Sequence, residues 1–273
     1  MDSPIPPDGP TPTYRSVFIS DLHLGSAQCR VDELSQFLAG VNATYIYLVG
    51  DVVDAWVGGS TTRWKPGQER ALLSLLEKAS PSCKVRYTPG NHDAVMRRFI
   101  GIKVFSTEIQ HSFIHETVDG RRFLVVHGDL FDKFVTTYKP IAWFLAWMHE
   151  ITLRLNHYTN LIGAKFGRKP SNYGRDIKRK VKSITERATG FENLLAAEAR
   201  RQNVDGVICG HIHKPKISIL EGNTMYVNTG DWVEHCSFVV EHWDGSLELR
   251  SFPTETKPQT SESGESLEYR KSL

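Results

Sequence analysis

Short apolar runs alternate with amphipathic stretches in the first half of the chain. The runs at residues 16–20, 44–49 and 84–88 have the length and β-branched content of strands. The periodicity at residues 31–39 and 67–79 predicts helices between them. The second helix is expected to bury four leucines, Leu72, Leu73, Leu75 and Leu76. This alternation predicts βαβ units with mainly parallel strands.

The last third of the chain has a different pattern. Short strands are predicted there at residues 207–209, 216–220, 224–228, 237–241 and 247–251. Gly222-Asn223 and Asp244-Gly245 separate two pairs of these strands. Such turn dipeptides are typical of hairpins, so antiparallel pairing is expected in this part.

Residues 135–203 lack strand patterns and predict a helical cap inserted beside the core. Residues 140–155 are apolar on almost every side, which fits a buried core helix or a lid facing lipid. Residues 175–188 carry one apolar stripe and many cations, which fits a solvated face or a surface that attracts phosphate or anionic lipid. Residues 191–201 predict a third helix. The candidate substrate-binding residues are therefore Trp143, Trp147, Arg175, Lys178 and Lys182.

The composition is that of an ordinary globular chain, with 40% hydrophobic and 23% charged residues among 273. One domain is expected at residues 15–253, between disordered tails at 1–14 and 254–273. A net charge of +2 gives no reason to expect a nucleic-acid partner. Four scattered cysteines and a start without a signal-peptide pattern predict a reduced, cytoplasmic protein.

Five short polar motifs each follow an apolar run with the pattern of a strand. One of these runs, at residues 123–126, lies between the two regions described above. They are Asp21-Leu22-His23, Gly50-Asp51, Gly90-Asn91-His92-Asp93, His127-Gly128-Asp129 and Gly210-His211-Ile212-His213. Each alone is compatible with an ordinary turn. Together they can meet only if the strands lie side by side, because open α/β sheets place sites at the carboxyl ends of their strands. Aspartate, asparagine and histidine without cysteine predict a site for Mn, Fe, Zn or Mg ions.

The order and content of these motifs resemble those of the calcineurin-like metallophosphoesterases, from about residue 17 to residue 252. The runs at residues 19–25, 49–56 and 229–234 are similar to the UDP-2,3-diacylglucosamine pyrophosphatase branch, which comprises bacterial enzymes of lipid A biosynthesis. The resemblance implies the α/β fold class, as a four-layer α/β/β/α sandwich of two mixed sheets with the helical cap as an insertion.

The same resemblance implies two divalent metal ions. The first would be held by Asp21, His23, Asp51 and His213, and the second by Asp51, Asn91, His127 and His211, with the Asp51 carboxylate bridging. Two ions about 3.5–4 Å apart suit phosphoryl transfer, because they hold both the attacking and the leaving oxygen. Manganese is the expected metal, and iron and zinc tolerate the same ligands.

The resemblance also places His92 at the substrate, where it would donate a hydrogen bond or protonate the leaving group. Asp93 is expected to orient its ring, with a turn carboxylate as the alternative. His92 stands where the best-known form of the pyrophosphatase carries arginine, and the acidic cluster that follows its H-G-D motif is missing after Asp129. Both differences concern substrate contacts and leave the metal ligands intact.

The expected function is hydrolysis of the pyrophosphate in a UDP-linked glycolipid precursor, by attack of a metal-bridging hydroxide on phosphorus. The cap would contact the inner membrane peripherally. One alternative is a broad phosphodiesterase or phosphomonoesterase acting on nucleotides or other small phosphoesters. A non-catalytic protein-binding scaffold is less favoured, because all seven ligands and His92 are present.

Overall fold

The computed structural model describes residues 13–54, 64, 66–104, 106–131 and 190–253. The strands and helices in these ranges are, in chain order, β1 (Tyr14–Ile19), α1 (Val31–Gly40), β2 (Ala43–Leu48), α2 (Gln68–Glu77), β3 (Lys84–Tyr87), β4 (Lys103–Val104), β5 (Thr107–Ile109), β6 (Phe113–Glu116), β7 (Arg122–Val125), α3 (Phe191–Arg201), β8 (Gly206–Cys209), β9 (Lys216–Leu220), β10 (Thr224–Asn228), β11 (Ser237–Glu241) and β12 (Leu247–Ser251). Two 3₁₀ turns, Ala94–Phe99 and Asp129–Phe131, follow β3 and β7.

These strands form two mixed sheets. The first has the order β12-β11-β1-β2-β3-β5-β4, and the second has the order β6-β7-β8-β10-β9. Within the first, β1, β2, β3 and β5 are parallel, which confirms the βαβ prediction. The predicted hairpins are confirmed as the antiparallel pairs β9–β10 and β11–β12.

The side chains of β1 show how the layers pack. Val17 and Ile19 point into a core shared with α1 and α2, whereas Phe18, between them, points into a core shared with the second sheet. A third core lies between the second sheet and α3, where Leu195 is completely buried. The order of layers is therefore helix, sheet, sheet, helix, and the four-layer prediction is confirmed.

The prediction for the buried face of α2 was wrong at two positions. Leu75 is buried, but Leu73 and Leu76 are 55% and 56% exposed. The helix instead buries the stripe Gln68, Ala71 and Leu75. Four leucines at positions 72, 73, 75 and 76 span too wide an arc of a 3.6-residue helix to share one face.

The third helix of the predicted cap is confirmed as α3, with the predicted bounds Phe191–Arg201. The two other helical stretches of the cap and both predicted tails lie outside the described residues, apart from residues 13 and 14. Within the described ranges, no helix is both long enough and apolar enough to cross a bilayer.

Candidate metal centre

Asp21, His23 and His213 form the first of two ligand clusters at the carboxyl ends of the parallel strands. His23 Nε2 lies 3.3 Å from His213 Nε2, and His213 Nε2 lies 3.1 Å from Asp21 Oδ1. Two nitrogens bound at about 2.0–2.1 Å to one tetrahedral ion would be roughly 3.3 Å apart. The three side chains are therefore spaced as ligands of a single ion.

Asp51, His127 and His211 form the second cluster. His127 Nδ1 donates a hydrogen bond to the carbonyl oxygen of Val49, at 2.8 Å, so in the neutral ring that binds a metal its Nε2 carries the lone pair. That Nε2 is buried, lies 3.3 Å from Asp51 Oδ2, and forms no hydrogen bond with the described residues. A metal ion would satisfy this nitrogen.

Asn91 supplies a further buried acceptor. Its Oδ1 forms no hydrogen bond within the described part of the chain. A buried amide oxygen without a donor costs about 1–3 kcal/mol, which a divalent cation would remove. The donor set of carboxylate, amide and imidazole fits Mn, Fe or Zn, so the residues present suit the metals that the sequence predicts.

Asp51 acts on both clusters. Its negative charge raises the pKa of His127 in the second cluster and also the pKa of His23 in the first. Its Oδ1 accepts a hydrogen bond from the backbone N–H of His92, at 2.8 Å. A carboxylate in this position supports the predicted bridging role, which stays a prediction.

Five of the seven predicted ligands have left-handed backbone conformations. The φ angles of Asp21, His23, Asp51, His211 and His213 lie between 50° and 70°. This region costs a residue other than glycine about 1–3 kcal/mol, and such strain collects at functional sites. Hydrogen bonds between the loops hold the conformation: His23 N–H donates to the Asp51 carbonyl at 3.0 Å, and Gly210 N–H donates to the His127 carbonyl at 3.1 Å.

The ring of His92 is oriented by Asp54, which the sequence analysis did not assign. Asp54 Oδ1 lies 2.7 Å from His92 Nδ1 and 2.8 Å from His23 Nδ1. One buried carboxylate thus fixes both a predicted metal ligand and the predicted catalytic histidine. The contact directs His23 Nε2 to the first cluster and leaves His92 Nε2 as the ring atom that can exchange a proton with a substrate.

The prediction that Asp93 orients His92 was wrong. Asp93 Oδ1 accepts a hydrogen bond from the N–H of Gly90 at 2.6 Å, and Oδ2 accepts from the N–H of Val52 at 2.7 Å and from the Tyr87 hydroxyl at 2.5 Å. Asp93 therefore closes the turn that carries Asn91 and ties it to the turn that carries Asp51. The alternative of a turn carboxylate is the one that the structure supports.

Asp231 is a second carboxylate that the sequence analysis left without a role. It is completely buried, and its Oδ1 accepts a hydrogen bond from the N–H of Val233 at 2.8 Å. Its Oδ2 is hydrogen-bonded to His235 Nδ1 at 2.6 Å and lies 3.7 Å from the Nδ1 of the predicted ligand His213, which is beyond hydrogen-bond distance. Asp231 therefore acts on His213 through its charge, while its direct histidine partner is His235.

Gly90 is required by the space between Asp51 and His127. A Cβ atom at this position would overlap Asp51 Oδ1 and lie 2.7 Å from His127 Cδ2. We expect Gly90→Ala to lower the metal content and the hydrolysis rate, both measured on purified protein. Gly40→Ala is the matched control, because a Cβ there has no atom within 4 Å. Full metal content and activity in Gly90→Ala would contradict this close packing.

Binding of a metal ion is expected to displace a proton from His23. Burial disfavours the charged imidazole, but the hydrogen bond to Asp54 and the negative charges of Asp54, Asp51 and Asp21 together outweigh it and raise the pKa of His23 to about 9 in the metal-free protein. His23 is therefore protonated near neutral pH, and the ion competes with that proton. Affinity for Mn²⁺ should increase as the pH rises toward about 9.

Calorimetric titration in two buffers with different ionisation enthalpies measures this proton release. Asp54→Asn should release fewer protons, because it removes the carboxylate that raises the pKa of His23. An identical binding enthalpy in both buffers for the unmodified protein would contradict the expectation.

The structure brings together all seven predicted ligands and His92 around two neighbouring clusters. The predicted substrate contacts in the cap lie outside the described residues: Trp143, Trp147, Arg175, Lys178 and Lys182.

Comparison with known proteins gives one family match and several similar proteins. The sequence profile described as calcineurin-like phosphoesterase matches residues 14–215. A UDP-2,3-diacylglucosamine hydrolase of Vibrio cholerae is 26% identical over 82% of this chain and 93% of its own length. The protein of the same name from Serratia proteamaculans is 24% identical over 87% of this chain and 99% of its own length. A dimetal phosphatase structure from Danio rerio is similar over 89% of this chain and 100% of that chain, with 13% identity and a TM-score of 0.40.

Proposed function

The chain belongs to the calcineurin-like phosphoesterase family, and from that premise we propose that it hydrolyses the pyrophosphate bond of a UDP-linked glycolipid precursor. As a member of this family the protein is a metal-dependent phosphoester hydrolase. The substrate is the proposed part. The relatives named UDP-2,3-diacylglucosamine hydrolase support it, because they align over most of this chain.

The observation that carries the hydrolytic part of the proposal is the convergence of seven predicted ligand side chains from five separate loops. Two clusters, each with a carboxylate and two imidazoles, lie at one edge of two adjoining sheets. The buried Asn91 oxygen has no hydrogen bond among the described residues. Five of the seven ligands also keep a strained backbone conformation. Ordinary turns would not keep so many strained and unsatisfied polar groups in one place.

When bound, two divalent ions at this centre would neutralise phosphate charge and activate water. Asp21, His23 and His213 would hold one ion, and Asn91, His127 and His211 would hold the other, with Asp51 between them. His92 would protonate the leaving oxygen, a role supported by the 2.7 Å contact of its Nδ1 with Asp54 Oδ1, which leaves Nε2 to exchange the proton. In a pyrophosphate substrate, that oxygen would belong to the phosphate that departs.

Product analysis tests the proposal. Purified protein with Mn²⁺ is offered UDP-2,3-diacylglucosamine, bis-para-nitrophenyl phosphate and para-nitrophenyl phosphate in parallel, and the products are identified by mass spectrometry. We expect UMP and a glycolipid phosphate as products of the first, formed faster than the products of the other two. Addition of a chelator should stop the reaction.

Other outcomes would separate the alternatives. Turnover of the small esters without turnover of the glycolipid would reject the proposed substrate and favour a broad phosphodiesterase or phosphomonoesterase. No turnover of any ester by protein with full metal content would reject catalysis and favour a binding scaffold.

A further inference from the structure

An exposed apolar and cationic surface directly follows the catalytic turn. Residues 94–104, here called the docking segment, contain three cations and no acidic residue. Three of its large apolar side chains are exposed: Val95 by 48%, Phe99 by 44% and Ile102 by 42%. Arg98 and Lys103, which alternate with them, are exposed as well.

The docking segment lies at the same end of the molecule as the metal centre. Ile102 is hydrogen-bonded through its carbonyl to the N–H of Ile109, at 3.1 Å. Ile109 pairs with Tyr87, the last residue of β3. The turn with Asn91 and His92 begins just beyond Tyr87, so the segment continues directly from the turn that carries the predicted ligand Asn91 and the predicted catalytic His92.

The segment is held firmly in this position. Met96 packs against the core of the first sheet, and Arg97 forms a 2.7 Å ion pair with the buried Asp129. Asp129 follows the predicted ligand His127, so this ion pair joins the segment to the second cluster. Because the side chains of Met96 and Arg97 point toward the protein, those of Val95 and Phe99 are exposed to solvent.

We propose that the docking segment binds the surface of an anionic lipid bilayer and so presents the metal centre to a lipid-linked substrate. Apolar side chains would enter the boundary between headgroups and acyl chains, and the neighbouring cations would attract the negative headgroups. The proposal differs from contact through the cap, because every residue it uses belongs to the core domain. It rests on the proposed function, since a lipid-linked substrate is the reason to place the centre at a membrane.

The charge of the segment decides between a bilayer and other partners. If the docking segments of two copies of this chain met, their positive charges would repel each other. The negative surface of an anionic membrane would instead attract these charges. Lys103 is opposite Glu108 in the β4–β5 hairpin, whereas the exposed Arg98 lies in the preceding 3₁₀ turn, outside that hairpin. The exposed pair Leu73 and Leu76 lacks this complementarity, because α2 carries two acidic residues and one cation.

Vesicle sedimentation tests the proposal without any turnover. The full chain is mixed with vesicles of phosphatidylcholine, or of phosphatidylcholine with phosphatidylglycerol, and the bound fraction is measured. We expect binding to the anionic vesicles only. Phe99→Ser/Ile102→Ser should lower the partition coefficient about tenfold or more, and Arg98→Gln/Lys103→Gln should lower it about fivefold for each cation.

Leu73→Ser/Leu76→Ser is the matched control, since it removes two apolar side chains that are more exposed than Phe99 and Ile102. It should leave vesicle binding unchanged. The proposal would be overturned if Leu73→Ser/Leu76→Ser lowered vesicle binding as much as Phe99→Ser/Ile102→Ser. It would also be overturned if the unmodified protein bound neutral vesicles as well as anionic ones, or bound neither. Melting temperatures establish that every variant is folded.

Hydrolysis of bis-para-nitrophenyl phosphate separates this proposal from the proposed function. The docking variants should retain that activity, because none of the four replaced residues belongs to a candidate metal-binding group. Failure of the glycolipid to react, with normal vesicle binding, would reject the proposed substrate alone.

Discussion

Replacing Asp51 by asparagine is expected to abolish hydrolysis and to lower the amount of bound metal. The substitution keeps the size of the side chain but removes the negative charge that acts on both His23 and His127. Stabilisation of transition-state charge by metal ions is worth several kcal/mol, so the rate should fall by about 10³-fold or more. Steady-state kinetics and elemental analysis of the same preparation measure the two effects.

Asp32→Asn is the matched control for this variant. Asp32 is exposed on α1, and its substitution changes the net charge by the same amount. It should retain full activity and metal content. An Asp51→Asn protein with full metal content would show that Asp51 does not bridge the two ions.

Replacing His92 by alanine is expected to leave the metal content unchanged and to lower the turnover number by about 10²–10⁴-fold, the usual contribution of a general acid or base. His92 is not one of the seven predicted ligands, and its Nδ1 lies 2.7 Å from Asp54 Oδ1. With His23 and Asp54 it forms a third group whose ligand atoms lie close enough to hold an ion, so the metal content of this variant is an essential part of the test. The loss should be greatest for substrates with poor leaving groups, because these depend most on protonation of the departing oxygen. Hydrolysis of para-nitrophenyl esters should lose less.

His111→Ala is the control, since His111 is exposed and lies outside both clusters. Equal losses for good and poor leaving groups in His92→Ala would remove proton donation from the mechanism. Loss of metal in this variant would instead make His92 part of the metal centre.

The convergence of the candidate ligands was largely predictable from the sequence, because apolar runs followed by polar motifs mark where strands end. Asp21, Asp51 and His127 each follow an apolar run, and parallel strands bring such ends together. The turn dipeptides at Gly222 and Asp244 likewise marked the hairpins, whose four strands have the predicted bounds.

Three features depend on contacts between distant residues and were missed or wrongly predicted. The short strands β4 and β5 contain two and three residues, too few to show a period in the sequence. The buried face of α2 was wrongly assigned, because leucine alone does not show which arc of a helix packs. Asp93 adjoins His92 in the sequence and was expected to orient its ring, whereas only the path of the backbone places Asp54 at the His92 Nδ1.

Anomalous diffraction from crystals of the protein grown with Mn²⁺ tests the two-metal centre most directly. Two peaks are predicted about 3.5–4 Å apart, the usual separation in such centres. One peak should lie among Asp21, His23 and His213, the other among Asn91, His127 and His211, with the Asp51 carboxylate contacting both. A single peak, or peaks away from these side chains at saturating Mn²⁺, would contradict the dinuclear centre on which the proposed hydrolysis depends.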